Sequence, residues 1–289
     1  MHHPSWADLR DLVDEQNCAR CNISPGVVAI EMTGSHPAIV ITGAASGIGR
    51  EIARLAAMEG SFLLLVDRAD RELTDLVVEL SAFDVKAAAV CQDLARSDAV
   101  SCIERALRER DLYCDVLINC AGLQLFAPAA ETRYSEQTSQ IDVNVRALTE
   151  LTIRFVPGML ARGGGGVLNV GSITGNAPAP ELGIHYATKA FVNSFSAALA
   201  SELAGTGLTV TCLAPGVVTT PSLERAWAAQ SWLIPRSDAF EAATAGWLGF
   251  KAGKRLVIPG LRNHLIVTFA RLLPRSIALQ MVGLLQRAR

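Results

Sequence analysis

A glycine-rich turn between an apolar strand and a helix constrains this chain more than any other stretch. Pro37 to Ile41 is apolar and partly β-branched, which predicts a short buried strand. Arg50 to Met58 carries apolar side chains at helical spacing, which predicts a helix. The turn between them reads T-G-x-x-x-G-x-G over residues 42–49. A helix that begins at such a turn points its free N–H groups outwards.

Each glycine of the turn has its own predicted structural role. Gly43 allows a sharp turn, Gly47 allows a ligand to approach the backbone, and Gly49 allows close packing of helix and strand. The free N–H groups and the positive end of the helix dipole suit a pyrophosphate. The candidate residues for it are Gly43, Ser46, Gly47, Ile48 and Gly49. A turn without a ligand can have the same spacing, so the rest of the chain has to decide.

Length and charge narrow the class of protein. At 289 residues the chain is long enough for one large α/β domain or for two small domains. Half of the residues are hydrophobic, and the formal net charge is −2. This balance gives no reason to expect nucleic acid as a partner.

The cysteines indicate a reducing compartment. Seven are present, an odd number, and they are widely scattered: Cys18, Cys21, Cys91, Cys102, Cys114, Cys120 and Cys212. We therefore expect free thiols in a cytoplasmic protein. We expect no metal site, because the pair Cys18 and Cys21 has no second pair to complete it. The first 20 residues lack the apolar segment of a signal peptide, and no uncharged run of 18 apolar residues predicts a membrane span.

Strand and helix patterns alternate from residue 37 onwards. Strands are predicted at 37–41, 62–67, 85–90, 115–119, 167–170, 209–213 and 255–258, and helices at 48–59, 73–83, 99–110, 136–159 and 186–204. Continuous apolar strands between helices are typical of a parallel sheet that is buried on both faces. We therefore predict an α/β fold, a Rossmann-like doubly wound parallel sheet, in a single domain over residues 37–260.

Two stretches lie outside this alternation, and the sequence allows more than one role for each. Residues 1–36 form an N-terminal extension that covers the domain, mediates dimer contacts or is disordered. Residues 216–253 form an insertion before the last strand, with Trp227, Trp232 and Trp247. Because ligands bind outside the carboxyl ends of the strands, this insertion is a candidate substrate lid. The alternative interpretation, equally favoured, is a structural insertion whose tryptophans are buried in the hydrophobic core.

The C-terminal residues 261–289 form a cationic amphipathic tail. They contain five arginines, no acidic residue and many large apolar side chains. Such a tail can lie on an anionic membrane surface as a peripheral contact. It can equally bury its apolar face in a dimer or on its own domain, and from the sequence we favour subunit packing.

Acidic residues follow two of the predicted strands. Asp67 ends the second strand, 24 residues after Gly43. An acid there accepts both ribose hydroxyls of an adenosine and repels a 2′-phosphate, which favours NAD. Arg68 keeps NADP open, because a neighbouring cation accommodates the phosphate. Asp93 and Leu94, after the third strand, are expected beside the adenine.

These motifs, in this order and spacing, resemble the short-chain dehydrogenase/reductase family from about Pro37 to Gly260. The resemblance implies hydride transfer between a nicotinamide and a small-molecule carbonyl or alcohol. It also implies a dimer or tetramer formed through helices 136–159 and 186–204. The further motifs that match, all implied to contact the cofactor, are Asn119-Cys120-Ala121-Gly122 and Pro215-Gly216 with Thr220.

The resemblance also implies the catalytic residues. In the family a serine polarises the carbonyl, a tyrosine passes the proton, and a lysine lowers the tyrosine pKa and holds the ribose. An asparagine keeps a water in the proton relay. The matching positions are Ser172, Lys189 and Asn144, but the position of the tyrosine, four residues before the lysine, is His185.

The proton carrier is therefore atypical. Helical spacing places both His185 and Tyr186 towards Lys189, so both are candidate proton carriers. His185 lies 13 residues after Ser172, the family's usual gap, which favours His185 as the carrier and Tyr186 as a supporting residue behind the site. An imidazole, with a pKa of about 6.5, can act as general acid, although the ammonium of Lys189 would lower that pKa. We expect an NAD(P)-dependent oxidoreductase with weakened or altered activity. The alternatives are a cofactor-binding scaffold without redox chemistry, and a lyase or isomerase that uses His185 as base.

Overall fold

The computed structural model describes residues 34–83, 85–218 and 236–274, and residues 276, 277, 279, 280 and 282. The predictions for residues 1–33, for the Cys18–Cys21 pair, and for Thr220, Trp227 and Trp232 lie outside the described residues.

The strands of the main sheet all run parallel. In chain order the described strands are β1 His36–Thr42, β2 Phe62–Asp67, β3 Ala87–Cys91, β4 Leu112–Asn119, β5 Gly166–Val170, β6 Thr209–Leu213, β7 Val217–Val218, β8 Arg236–Ser237 and β9 Leu256–Val257. The main sheet has the order β3-β2-β1-β4-β5-β6-β9, and β7 pairs separately with β8. From β1 the chain adds strands first on one side (β2, β3) and then on the other (β4 onwards), so the strand order reverses between β1 and β4, where Thr42 lies opposite Asn119. This reversal is the point where a doubly wound sheet opens a crevice for ligands.

Helices cover both faces of this sheet. They are α1 Gly47–Ala57, α2 Asp70–Leu80, α3 Ala99–Arg108, α4 Tyr134–Ile141, α5 Leu148–Arg162, α6 Gly183–Glu202, α7 Ala239–Lys251 and α8 Leu261–Leu272. Successive side chains of β1 enter opposite cores: Val40 packs with Leu151 of α5, and Ile41 packs with Ile52 of α1. Because a strand alternates its side chains between the two faces, both faces are buried. The predicted doubly wound α/β fold is confirmed.

The second half of the predicted insertion lies in the helical layer. Residues 239–251 form α7, which packs on α1 and on β6. Trp247 is 4% exposed, and its Nε1 donates to Glu59 Oε1 at 2.9 Å. Lys251 Nζ donates to the same oxygen at 2.6 Å. Trp247 is therefore a core residue that joins α7 to the end of α1.

Most predicted elements differ from the observed ones by one to three residues at their ends, and two of the differences have local reasons. Strand β4 begins at Leu112 rather than 115, because Asp115 interrupts the apolar pattern without interrupting the strand. The single helix predicted over 136–159 is divided by a π-helical segment, Asp142–Ala147, between α4 and α5. A π segment adds a residue to one turn and is frequent at functional sites. Among the described helices, none is both long and apolar enough to cross a membrane.

Candidate active site

The glycine-rich turn has the close packing that its glycines permit. Gly43 and Gly47 have positive φ angles of 68° and 53°. A Cβ atom at Gly43 would lie 2.7 Å from the backbone of Ala121, and one at Gly49 would lie 2.2 Å from the Gly43 carbonyl oxygen. A side chain at position 43 or 49 would collide with backbone. The turn therefore holds β1, β4 and the start of α1 in direct contact.

The start of α1 has the properties of an anion site. Ser46, at the N-cap position, makes no side-chain capping hydrogen bond. Ile48 and Gly49 follow in the first turn of the helix, where N–H groups have no partner within the helix. These N–H groups and the positive helix end fit a pyrophosphate.

Asp67 is fixed against this turn. Its Oδ2 accepts the Ala45 N–H at 3.1 Å, and its Oδ1 accepts the Ala69 N–H at 3.1 Å. The carboxylate is half-buried and Arg68 is exposed. Each carboxylate oxygen accepts two hydrogen bonds, so both keep a free acceptor site. The end of β2 can therefore accept ribose hydroxyls.

The end of β3 is organised in a similar way. Asp93 Oδ1 accepts the Ala95 N–H at 2.9 Å, and Leu94 is buried in the core. The carboxylate of Asp93 thus shapes the loop after β3. The side chain of Leu94 contributes packing beneath that loop.

A buried polar chain crosses the sheet below the crevice. Asn119 Nδ2 donates to Thr152 Oγ1 at 3.1 Å and to Asn169 Oδ1 at 2.9 Å. Thr42 Oγ1 accepts the N–H groups of Cys120 and Ala121 at 3.1 and 3.2 Å. The Asn119 amide nitrogen therefore donates inside the protein, and Thr42 positions the backbone that follows β4.

Asn144 joins the loop after β4 to helix α6. Its Nδ2 donates to the Leu123 carbonyl at 2.8 Å and to Thr188 Oγ1 at 3.0 Å. Its Oδ1 accepts the Leu123 N–H at 2.7 Å. A Cβ atom at Gly122 would lie 3.5 Å from Asn144 Oδ1 and 3.6 Å from Lys189 Nζ. The structure therefore brings Asn144 and Lys189 together next to the Cα atom of Gly122.

Lys189 is buried at the end of β5. Its Nζ donates to the Val170 carbonyl at 2.8 Å. Burial lowers its pKa from the ordinary value, because an ammonium without an anionic partner is poorly solvated there. The ammonium carries three donors, so two remain after the bond to Val170.

Ser172 lies in the loop after β5. Its Oγ accepts the Thr174 N–H at 3.1 Å and donates to the Pro215 carbonyl at 3.4 Å. Gly216, next to Pro215, lies against the side chain of Asn263 on α8, since a Cβ atom at Gly216 would be 2.8 Å from Asn263 Oδ1. The ends of β5 and β6 thus meet at Ser172.

His185 is buried in the first turn of α6. Its Nδ1 lies 3.4 Å from the Leu123 carbonyl oxygen, and because a carbonyl oxygen only accepts, this contact favours the neutral tautomer with its proton on Nδ1. Burial, followed by the charge of Lys189, lowers the pKa of His185 to about 4. The ring is therefore neutral at pH 7, with Nε2 as its free acceptor.

Tyr186 belongs to a different environment. It packs against an apolar cluster that includes Ala179, Leu182 and Phe126. Its ring centroid is 6.2 Å from that of His185, and burial raises the pKa of its phenol to about 12. Tyr186 thus packs behind His185.

Asn193 is a site residue that the sequence analysis missed. Its Nδ2 donates to the Ser172 carbonyl at 2.9 Å, and its Oδ1 accepts the Ser172 N–H at 3.3 Å. The available signal was its position one helical turn after Lys189 on α6. Within the described ranges, no group of three or more His, Cys, Asp or Glu side chains is placed to hold a metal ion.

Comparison with known proteins adds to this geometry. The sequence profile of the short chain dehydrogenases matches residues 37–231. Glycine betaine reductase ATRR of Emericella nidulans is 38% identical over 184 residues, which are 64% of this chain and 14% of that much longer protein. Sulfoacetaldehyde reductase 2 of Chromohalobacter salexigens is 36% identical over 184 residues, which are 63% of this chain and 73% of the relative.

A solved structure has the same architecture. A short-chain dehydrogenase from Sphingobium yanoikuyae in complex with NADPH superposes with a TM-score of 0.71 and 32% identity, covering 78% of this chain and 88% of that one. The chain belongs to the short chain dehydrogenase family.

Proposed function

We propose that this protein is a nicotinamide-dependent oxidoreductase that acts on a carbonyl or alcohol substrate. The observation that carries the proposal is the convergence of Ser172, His185 and Lys189 at the carboxyl ends of the parallel strands. Asn144 links the loops of that convergence through Leu123 and Thr188. Family membership and the reductases among the relatives support an enzyme of this class.

The residues present fit the cofactor. The uncapped start of α1 would bind its pyrophosphate, Asp67 its adenosine ribose, and Lys189 its nicotinamide ribose. When bound, the nicotinamide supplies or accepts the hydride. Asp67 supports NAD as the preferred form. NADP is the alternative, supported by exposed Arg68 and by the NADPH in the Sphingobium structure.

In this proposal His185 occupies the position of the family's tyrosine and accepts a proton at Nε2. The neutral ring is already the acceptor form, because Nδ1–H is directed to the Leu123 carbonyl. The long contact from Ser172 Oγ to Pro215 leaves the hydroxyl free to turn its hydrogen to a substrate oxygen. Carbonyl reduction needs the imidazolium, which is scarce well above a pKa of about 4. We therefore expect alcohol oxidation to be faster than carbonyl reduction at neutral pH.

The apolar cluster around Tyr186, the chain neighbour of His185, supports an apolar substrate. Phe126, Leu182 and Val217 pack together beside the first turn of α6. An apolar or aromatic carbonyl or alcohol matches that wall, since such pockets are lined mainly by apolar side chains with few polar groups.

Exposed apolar side chains on α5 and α6 support a homodimer or homotetramer. Ile153 is 61% exposed, and Phe191 is exposed and stacks on Phe195 with centroids 5.7 Å apart. Contact between subunits would cover both side chains. The described cysteines are free thiols, which supports a cytoplasmic location.

Two alternatives rest on the same low pKa of His185. A ring that is rarely protonated fits a cofactor-binding scaffold without redox turnover. It also fits a lyase or isomerase in which Nε2 is the base.

The test compares the unmodified protein with the His185→Tyr variant. Each receives NAD or NADP in both oxidation states and a panel of apolar alcohols, aldehydes and ketones. The proposal predicts slow turnover by the unmodified protein and faster carbonyl reduction by the variant. A lyase or isomerase would lose its reaction in the variant, and a scaffold would bind cofactor and turn over nothing. Failure of both proteins to bind either cofactor would sink the proposal.

A further inference from the structure

Helix α8 presents an uncovered apolar face. Its inner side chains, Asn263 and Val267, are buried against the loops after β6 and β9. On its outer side Leu261, Leu265 and Leu272 are 76%, 63% and 79% exposed, and Phe269 is 56% exposed. These positions are three or four residues apart, so they lie on one side of the helix. The part of the chain that the structure describes therefore leaves this face open.

The same part of the chain carries only positive charge. Residues 242–289 contain no Asp or Glu, and they contain these cations: Lys251, Lys254, Arg255, Arg262, Arg271, Arg275, Arg287 and Arg289. Lys251, Lys254, Arg255 and Arg262 are exposed. Of these, Lys251 pairs with Glu59 near the end of α1, and Arg262 is the exposed cation of α8 itself among the described side chains. Residues 261–289 thus combine the apolar face with charged side chains of one sign.

We propose that α8 lies in the surface of an anionic phospholipid membrane. Its leucines and Phe269 would enter the boundary between headgroups and acyl chains, and the arginines of residues 261–289 would contact lipid phosphates. A second copy of this chain fits less well, because a two-fold interface would place this positive surface against itself. An anionic membrane accounts for both features, the apolar face and the exclusively positive charge of this segment.

The experiment measures co-sedimentation of the full chain with vesicles. One vesicle contains phosphatidylcholine alone, and the other contains equal parts of phosphatidylcholine and phosphatidylglycerol. We expect at least about tenfold tighter binding to the anionic vesicle, since each cation near such a surface contributes about a fivefold gain. Raising the salt from about 0.1 M to about 1 M should remove most of that difference, because the screening length falls from about 10 Å to about 3 Å.

A matched pair of variants tests the apolar face. The double variant Leu265→Gln/Phe269→Gln should weaken anionic vesicle binding at least about tenfold, because both side chains leave water on binding. Val78→Gln changes a side chain that is 68% exposed on α2 and should leave vesicle binding unchanged. Circular dichroism and cofactor affinity should match the unmodified protein in both variants, which separates this test from that of the proposed function.

Three results would overturn the proposal. One is equal binding of the unmodified protein to neutral and anionic vesicles. Another is an affinity for the anionic vesicle that does not change with salt concentration. The third is a double variant that changes the oligomeric state in light scattering and leaves vesicle binding unaltered, which would make the face a contact between subunits.

Discussion

Asn193 holds the backbone of Ser172 from both sides: its amide donates to the Ser172 carbonyl at 2.9 Å, and its oxygen accepts the Ser172 N–H at 3.3 Å. The pair joins the middle of α6 to the loop after β5. Because Ser172 Oγ also caps the short helical turn Ile173–Asn176, the orientation of the hydroxyl depends on this backbone. Asn193 is thus a positioning residue.

Removal of this clamp should affect turnover more than binding. Asn193→Ala should lower kcat about tenfold or more, since a misplaced hydroxyl loses part of its transition-state contact. The cofactor dissociation constant should change less than about twofold, because Asn193 lies away from Asp67 and the glycine turn. Steady-state kinetics and fluorescence titration measure the two quantities. Ser194→Ala, an exposed neighbour on α6, is the control and should change neither.

The free energy of unfolding should decrease as the pH is lowered, because of His185. The pKa of His185 is lowered to about 4 in the folded protein and is about 6.5 in the unfolded chain. Between these values the unfolded chain binds more protons, so the stabilisation present above pH 6.5 is lost as the pH falls through 4. The loss approaches about 3 kcal/mol.

Urea unfolding at a series of pH values measures this effect. In His185→Gln the slope between pH 6.5 and 4 should become shallower, because Gln does not titrate. His264→Gln, an exposed substitution on α8, serves as the control and should keep the original slope. An unchanged slope in His185→Gln would contradict the assignment of the proton uptake to this ring.

Asp67 should set the preference between the two nicotinamide cofactors. Asp67→Asn keeps an acceptor for the Ala45 or Ala69 N–H and removes the negative charge. Without that charge the 2′-phosphate is no longer repelled, so the ratio of kcat/KM for NADP to that for NAD should rise at least about tenfold. Asp93→Asn, one strand further on, should shift the ratio far less. A ratio unaffected by Asp67→Asn would point to Arg68 as the determinant.

The contact between α1 and α7 should contribute to global stability. Glu59→Ala leaves the buried Nε1 of Trp247 without its acceptor and removes the ion pair with Lys251. The free energy of unfolding should fall by about 1–2 kcal/mol, chiefly through the unpaired indole N–H. Chemical denaturation measures the difference. Glu72→Ala, at an exposed position on α2, should change stability by less than about 0.5 kcal/mol.

The local parts of the fold were predictable from the sequence. The turn around Gly43 and the buried strands have periodicity and spacing that depend on few neighbours, so the doubly wound architecture follows from them. Strand β6 was predicted with the bounds that the structure has. The acid at the end of β2 was predictable for the same reason.

The tertiary contacts of the site were not predictable. Asn193 acts through a loop 21 residues away, and the sequence contains no spacing rule for a side chain that binds backbone. The different environments of His185 and Tyr186 depend on Leu123 and on the cluster around Leu182. Helical spacing alone left both side chains facing Lys189.

The π segment Asp142–Ala147 gives the long helix a tolerance that a regular helix lacks. Its wide turn absorbs one residue between α4 and α5. Deletion of one residue there would turn the segment into an ordinary α-helical turn while α5 kept its buried face. Asn144 would rotate by about 100° around the helix axis, since each α-helical residue advances by 1/3.6 of a turn. A deletion at this point would therefore move Asn144, and with it the core side chain of Val143, relative to α5.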